Sequence, residues 1–437
     1  MEKRKKRTFL ATLIIFGLAG QVAWVVENMY FNVFIYEMFG ASPSDISLMV
    51  ALSAVAATLT TVFIGALSDK IGKRKLFITV GYILWGVSIL AFALVKEGII
   101  GALFPSATSV AAICITISIA LDCVMTFFGS SANDACFNAW LTDSTDASNR
   151  GSAEGINAMM PLVAILVVFG GFMSLDTSRE SSWTVIFLVI GITVILIGVL
   201  GIFIIDEPKI EVSENKSYFK NIIYGFRPSV IKQNVRLYIY LILFTVFGIS
   251  IQVFMPYLII YYDKSLGLGG SYVFIMAPAI ILAAVFTVIW GRVYDKWKFN
   301  KSIIPTLALL AIGYVILFIF KGTALVFIGS LLMMCGYLGG NAVFGASVRD
   351  SIPENKAGMF QGLRIVGQVL LPGIIGPAIG AQILKNAETI VNGDGTTSFL
   401  PSSDIFLGSL IVLLVLAALT LAYIPLEKKR NNERAKN

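Results

Sequence analysis

Apolar residues run through this chain in twelve long stretches separated by short polar breaks, a pattern of repeated membrane crossing rather than of one buried face. The stretches lie near residues 9–36, 46–67, 76–95, 107–140, 155–175, 182–205, 237–262, 270–290, 302–320, 324–348, 359–383 and 404–424. A bilayer core of about 30 Å takes about 20 apolar residues per helix, so each stretch predicts one span. The first and fourth exceed that length and predict tilt or projection past the headgroups. Residues 206–236 form the longest polar interval, dividing the chain into a six-span half at 1–205, a central loop, and a six-span half at 237–437 with a basic tail. Within that loop, Tyr218-Phe219-Lys220-Asn221-Ile222-Ile223 has the make-up of a helix lying on a membrane surface.

The two halves repeat one another. Gly65-Ala66-Leu67-Ser68-Asp69-Lys70-Ile71-Gly72-Lys73-Arg74-Lys75 stands between the second and third runs, and Gly291-Arg292-Val293-Tyr294-Asp295-Lys296 between the eighth and ninth. After the fourth and tenth runs, Asp143, Gly151 and Glu154-Gly155 match Asp350, Gly358 and Gln361-Gly362 at a constant offset of 207. Duplicated bundles of membrane helices are the architecture of carriers that rock one half against the other.

Composition agrees. The chain is 57% hydrophobic and 14% charged, with a mean hydropathy of +0.84. The net charge of +7 would suggest a nucleic-acid partner, but its placement excludes one. Of the 33 Lys and Arg, 27 fall on the amino-terminal side of the predicted topology, five on the other side, and Arg364 lies within a run. Basic loops stay in the cytoplasm, so both termini are expected inside. The first run follows Lys3-Arg4-Lys5-Lys6-Arg7 and is too long for a cleaved signal, which predicts a retained first helix in a plasma membrane. Cys114, Cys123, Cys136 and Cys335 all sit in apolar runs without Cys-x-x-Cys spacing and read as small buried residues. No phosphate-binding Gly-x-x-x-x-Gly-Lys-Ser/Thr loop, Gly-x-Ser-x-Gly elbow or His/Cys cluster is present. An ATP-driven pump, an enzyme, a metal site and a bound cofactor are therefore not expected.

The loop with Gly65, Asp69, Lys70, Gly72, Lys73 and Arg74 resembles the signature between the second and third helices of the major facilitator superfamily. The second copy keeps Gly291, Asp295 and Lys296 but has Lys298 where the second Gly would fall. The resemblance implies an all-α fold of twelve transmembrane helices in two pseudo-symmetric halves. It also implies a cytoplasmic gate, in which Asp69 bonds a neighbouring helix end and the basic residues pair with nearby carboxylates. The end of the fourth run, Asn138-Ala139-Trp140-Leu141-Thr142-Asp143, followed by Asn149-Arg150-Gly151, is similar to the glycoside–pentoside–hexuronide:cation symporters and their sucrose-type relatives. Melibiose-type members carry acidic residues in the second helix that help bind a cation, whereas residues 46–64 here carry no charge.

A charge at the bilayer centre costs at least about 2.5–3.5 kcal/mol, so each one retained needs a reason. The chain keeps Glu27 in run one, Asp122 and Asp134 in run four, and Arg364 in run eleven. At 100° per residue, Trp24, Asn28, Phe31 and Asn32 share a stripe with Glu27 on its flank. Aromatic, amide and carboxylate groups together suit a sugar, whose ring face stacks and whose hydroxyls donate. Ser118, Asp122, Thr126, Gly129 and Asn133 form a second stripe, with Asp122 near mid-depth and Asp134 on another face nearer the cytoplasm. Without histidine, Glu27 and Asp122, and with them Asp134, are the candidate proton or cation carriers. Each of these could instead hold helices together. Tyr337 and Asn341, one turn apart in run ten, and Arg364 with Gln368 in run eleven are further candidates for substrate contact. Arg364 either reaches an acid of the first half or sits at the cytoplasmic end of its helix. Gln252, Tyr257 and Tyr261 in run seven are weaker candidates, and Gly376-x-x-x-Gly380 allows close approach of another helix.

The expected protein is a monomeric secondary transporter in a lipid bilayer, moving a small solute, foremost a sugar or glycoside, with a proton or cation. Proton-driven efflux of amphipathic compounds, a non-transporting receptor and a channel are the competing classes.

Overall fold

The computed structural model describes residues 2–145, 150–207, 224–353, 357–391 and 397–434. Most of the expected central loop, 208–223, lies outside the described residues, as does Asn149. Eleven helical stretches are long and apolar enough to cross a membrane. We number them α1 (Arg7–Phe39), α2 (Pro43–Ile71), α3 (Arg74–Phe92), α4 (Val110–Asp143), α5 (Gly155–Phe172), α6 (Glu180–Ile204), α7 (Val235–Ser265), α10 (Thr323–Ser351), α11 (Gly362–Asn386) and α12 (Asp404–Pro425). The remaining stretch, Gly269–Ile319, is 51 residues long and contains both α8 (269–297) and α9 (299–319).

That long stretch breaks at Lys298, whose φ of 54° and ψ of −173° leave the helical region. The chain folds back there: the indole Nε1 of Trp290 donates to the carbonyl of Ser302 at 3.0 Å. Twelve residues of straight helix would separate those groups by about 18 Å. The long stretch thus holds two helical segments, so the eleven apolar stretches contain twelve segments among the described residues.

Cα packing groups the chain into two compact units, Met1–Lys220 with Thr389–Phe399, and Asn221–Glu388 with Leu400–Asn437. In the first unit α3 lies along α6 and α1 along α5. Glycines make the α3–α6 approach close: a Cβ at Gly86 would stand 2.5 Å from the carbonyl oxygen of Gly191. An aromatic knot of Phe31, Phe34, Phe92, Trp183 and Phe187 ties α1, α3 and α6 together. A short strand pair follows α11, with β1 (Thr389–Val391) antiparallel to β2 (Thr397–Phe399). It packs with the first unit: the Tyr36 hydroxyl donates to the Phe399 carbonyl at 2.6 Å, and the two rings meet edge to face.

In the second unit α8 and α9 pack on α10, and α7 on α11 and α12. Gly376 and Gly380 bring α11 against α7, where a Cβ at either would strike Gln252, or Val253 and Tyr257.

Local chemistry sets the ends of these helices. Ser42 caps α2, accepting from the Asp45 amide at 3.2 Å while its own amide donates to the Asp45 carboxylate at 2.9 Å. Gly72 ends α2 with φ +69°, its N–H returning to the Ser68 carbonyl at 2.9 Å. Lys298 occupies the matching place in the second copy and is the one non-glycine residue with positive φ among the described residues. At that φ and ψ a Cβ is strained by about 1–3 kcal/mol. We expect Lys298→Gly to raise the apparent Tm by a few degrees in detergent, followed by tryptophan fluorescence, and Lys298→Ala to leave it unchanged. Equal behaviour of the two variants would show that the turn is unstrained.

Candidate functional site

Four helices widen into π-turns: Val26–Phe31 in α1, Ser130–Phe137 in α4, Tyr261–Ser265 in α7 and Val366–Leu370 in α11. Such turns add a residue to the helical repeat and are frequent at functional sites. Glu27 sits in the first, Asp134 in the second and Gln368 in the fourth. The turn in α1 also corrects the expected polar stripe. Phe31 is not beside Asn28 and Asn32 on a polar face; it is buried against Phe92 and Phe187. A constant 100° step does not survive a widened turn.

Glu27 is 6% exposed. Its Oε1 accepts from Ser53 Oγ on α2 at 2.9 Å and from Thr126 Oγ1 on α4 at 2.8 Å, and those two hydroxyls are 2.8 Å apart. Asp122, 2% exposed, lies one turn before Thr126 on the same face of α4, with Ser53 close by. Glu27 Oε2 and Asp122 Oδ1 are buried without a hydrogen-bond partner, as are Ser118 Oγ, one turn outward from Asp122, and Asn32 Oδ1. Among the described residues no Lys or Arg forms an ion pair with either carboxylate. Ser53 was not singled out from sequence; its only signal was a hydroxyl in an otherwise apolar, uncharged span.

Asp134 belongs to a different cluster. Its Oδ2 accepts from Ser130 Oγ at 3.1 Å and its Oδ1 from Asn133 Nδ2 at 3.2 Å, and Trp24 lies beside it. Asn133 in turn accepts from the Tyr82 hydroxyl at 3.1 Å, and a Cβ at Gly20 would collide with both groups. Trp24 is half-buried with its ring centroid 5.1 Å from that of Trp85, and its carbonyl accepts from the Asn28 side chain at 2.8 Å. Asn28 is exposed, while Asn32 is buried and donates to the Asn28 carbonyl at 3.3 Å.

In the second unit Tyr337 and Asn341 lie close together one turn apart on α10, and Tyr314 of α9 stands nearby. Tyr314 meets Ser250 Oγ at 3.3 Å, which donates to the Ser409 carbonyl at 2.8 Å. Arg364 lies two residues before the π-turn of α11 and faces Arg349 of α10, and Gln368 keeps its Nε2 buried without a hydrogen bond. Tyr257 and Tyr261 direct their hydroxyls at the Pro377 and Leu317 carbonyls, a packing role.

At the loop between α2 and α3, Arg74 is the hub. It is 4% exposed and pairs with Asp69, donates to Ser68 Oγ, and places its Nε 3.0 Å from Asp143 Oδ2 at the end of α4. Ser68 Oγ donates to the Gly65 carbonyl at 3.0 Å. The second copy replaces this cation. Asp350, the counterpart of Asp143, accepts from the Tyr294 hydroxyl at 2.8 Å, and Ser347 approaches the same hydroxyl at 3.3 Å. Gly291 is open to its surroundings and Asp295 is exposed.

Eleven long apolar helical stretches and buried ionisable groups held by hydroxyls are consistent with a membrane carrier. The chain belongs to the Major Facilitator Superfamily, whose family model matches residues 8–377. It is accordingly a multi-pass membrane transporter of the secondary class and not an enzyme. No curated protein matches it in sequence. Among solved structures it is similar in fold to a mutant of the nucleoside transporter NupG, at 12% identity and TM-score 0.72, covering 94% of this chain and 98% of that one. It is also similar to a D-xylose–proton symporter, at 16% identity and TM-score 0.68, covering 94% and 96%. An inward-facing bacterial homologue of the human lysosomal transporter Spinster aligns at 14% identity and TM-score 0.67, covering 96% and 97%.

Removing one partner of a buried charged group costs more than removing an exposed one. Arg74→Ala should therefore lower stability by about 1–3 kcal/mol. Asp69→Asn, whose side chain is 45% exposed, should cost less than about 1 kcal/mol. Equal losses in apparent Tm would contradict Arg74 as the hub.

Proposed function

We propose that the protein carries a small polar solute, foremost a sugar or glycoside, in symport with a proton or another small cation, by alternating access of its two halves. One observation carries this reading: Glu27 and Asp122 are buried together in the first unit, each with one oxygen lacking a partner. An ionised carboxylate without a cation or enough donors is costly in a low-dielectric interior. Two hydroxyls supply two hydrogens to this pair, too few for two carboxylates. An exchangeable proton on Glu27 Oε2 or Asp122 Oδ1 supplies what is missing and can leave when the site opens to the other side.

The solute reading rests on Trp24, half-buried beside the exposed amide of Asn28, a pairing of stacking surface and polar group that suits a sugar ring. Tyr337, Asn341, Arg364 and Gln368 are the candidate contacts of the second unit. Asp134, both of whose oxygens already accept hydrogen bonds, serves better as a fixed contact beside Trp24 than as a proton carrier. The Arg74 network, with Gly65, Asp69 and Gly72, and its counterpart at Gly291 and Asp295, act as cytoplasmic gate elements. The resemblance of Asn138–Asp143 and Arg150-Gly151 to the glycoside–pentoside–hexuronide:cation group supports the same solute class. The Lys and Arg distribution supports cytoplasmic termini and a plasma-membrane location for a monomer.

Proteoliposomes with an imposed inward proton gradient, screened by counterflow across sugars and then assayed with sodium varied, test this. Wild-type protein should accumulate its sugar above the external concentration, and Glu27→Gln and Asp122→Asn should only equilibrate it. Undiminished accumulation by both variants would overturn the assignment.

A further inference from the structure

Ser53 stands at the meeting point of α1, α2 and α4, and its geometry goes further than the reading of Glu27 and Asp122 on which this inference rests. Its hydroxyl lies 2.9 Å from Glu27 Oε1 and 2.8 Å from Thr126 Oγ1, with Asp122 close by. A hydroxyl has one hydrogen to give. It can serve Glu27 or Asp122, never both at once.

We propose that Ser53 is a positioning residue that makes Glu27 and Asp122 share a single proton. When Glu27 is ionised, Ser53 and Thr126 both donate to its Oε1, and the proton rides on Asp122. When Asp122 is ionised, the Ser53 O–H turns to it, and the proton rides on Glu27 Oε2. Thr126 then keeps Glu27 Oε1 or donates to the Ser53 oxygen. No covalent bond to Ser53 breaks in either arrangement; its hydrogen rotates and the transported proton changes carboxylate.

The surrounding groups favour this sharing. On α4 the ionisable neighbours are Asp134, which adds like charge, and the Cys123 thiol. On α2, residues 46–64 bring only hydroxyl and apolar groups. Thr58 and Thr61, the other buried hydroxyls of that helix with unpartnered oxygens, make no hydrogen bond to either carboxylate. No described cation competes with the proton.

The state with no proton and the state with one both contain an ionised acceptor for Ser53, whereas the state with two contains none. Ser53 therefore widens the pH interval over which the pair holds one proton, by opposing uptake of a second. Hydrogen bonds to charged groups are strong enough to make this about one pH unit.

Infrared difference spectroscopy of the full chain in detergent reads the protonated carboxyl C=O stretch as pH is varied and needs no substrate. Wild type should titrate in two separated steps. Glu27→Gln and Asp122→Asn should each remove one component. Ser53→Ala should narrow the single-proton interval by about one pH unit, and Ser53→Thr, which keeps the hydroxyl, should restore it. Ser53→Cys, closer in volume with a weaker donor, should narrow it in smaller measure and serves if the alanine variant does not fold. An unchanged interval in Ser53→Ala or Ser53→Cys, with clean losses in the carboxylate variants, would overturn the role of Ser53 alone. Two steps persisting in both Glu27→Gln and Asp122→Asn would instead remove the proton-binding pair itself.

Discussion

Two carboxylates in a low-dielectric interior must be neutralised or fully hydrogen-bonded, and the first unit is organised around how far it meets that demand. Glu27 receives two hydroxyl donors on one oxygen, and Asp122 lies close to one of the same donors. The remaining oxygens have nothing. Full satisfaction would make the pair a fixed strut. Partial satisfaction leaves two oxygens able to take up and release a proton, as the proposed coupling requires. Asp134 shows the contrast within the same helix: each of its carboxylate oxygens accepts a hydrogen bond, one from Ser130 and one from Asn133.

The widened turns are the backbone's contribution. A regular helix would carry Glu27 and the residues after it round at a fixed step. The π-turn at Val26–Phe31 lets the carboxylate face α2 and α4 while Phe31 packs into the aromatic knot with α3 and α6. Each unit has two such turns among the described residues, and in α4 and α11 they also coincide with polar side chains. At the other end of the unit, Arg74 ties the α2–α3 loop to the end of α4, the helix that carries Asp122. The duplicated half reaches Asp350 with the Tyr294 hydroxyl instead, so the two copies of one motif are bonded by different chemistry.

Much of this was legible in the residues. Hydropathy marked the apolar helical stretches to within a few residues at most ends, because a span is set by bilayer thickness and little else. The loop at Gly65–Arg74 gave the family, and the rarity of charge within apolar runs pointed to Glu27 and Asp122. Ser53 escaped notice because a serine in a span is ordinary until the helices across from it are known. The π-turns were invisible because angular wheels assume 3.6 residues per turn throughout. The strand pair at 389–399 was missed because three-residue strands carry no periodic signal, and their partner, Tyr36, lies far away in sequence.

The central claim is that Glu27 and Asp122 carry an exchangeable proton inside the membrane. Hydrophobic carbodiimides react with protonated carboxyls in apolar surroundings, so labelling of the intact protein followed by peptide mass spectrometry tests it most directly. The account predicts modification at Glu27 or Asp122 that fades as pH rises, with the exposed loop carboxylate Asp176 unlabelled. Its Ser178 hydrogen bonds hold it below the usual carboxylate range. Labelling confined to exposed carboxylates, or labelling of Glu27 and Asp122 that does not vary with pH, would contradict it.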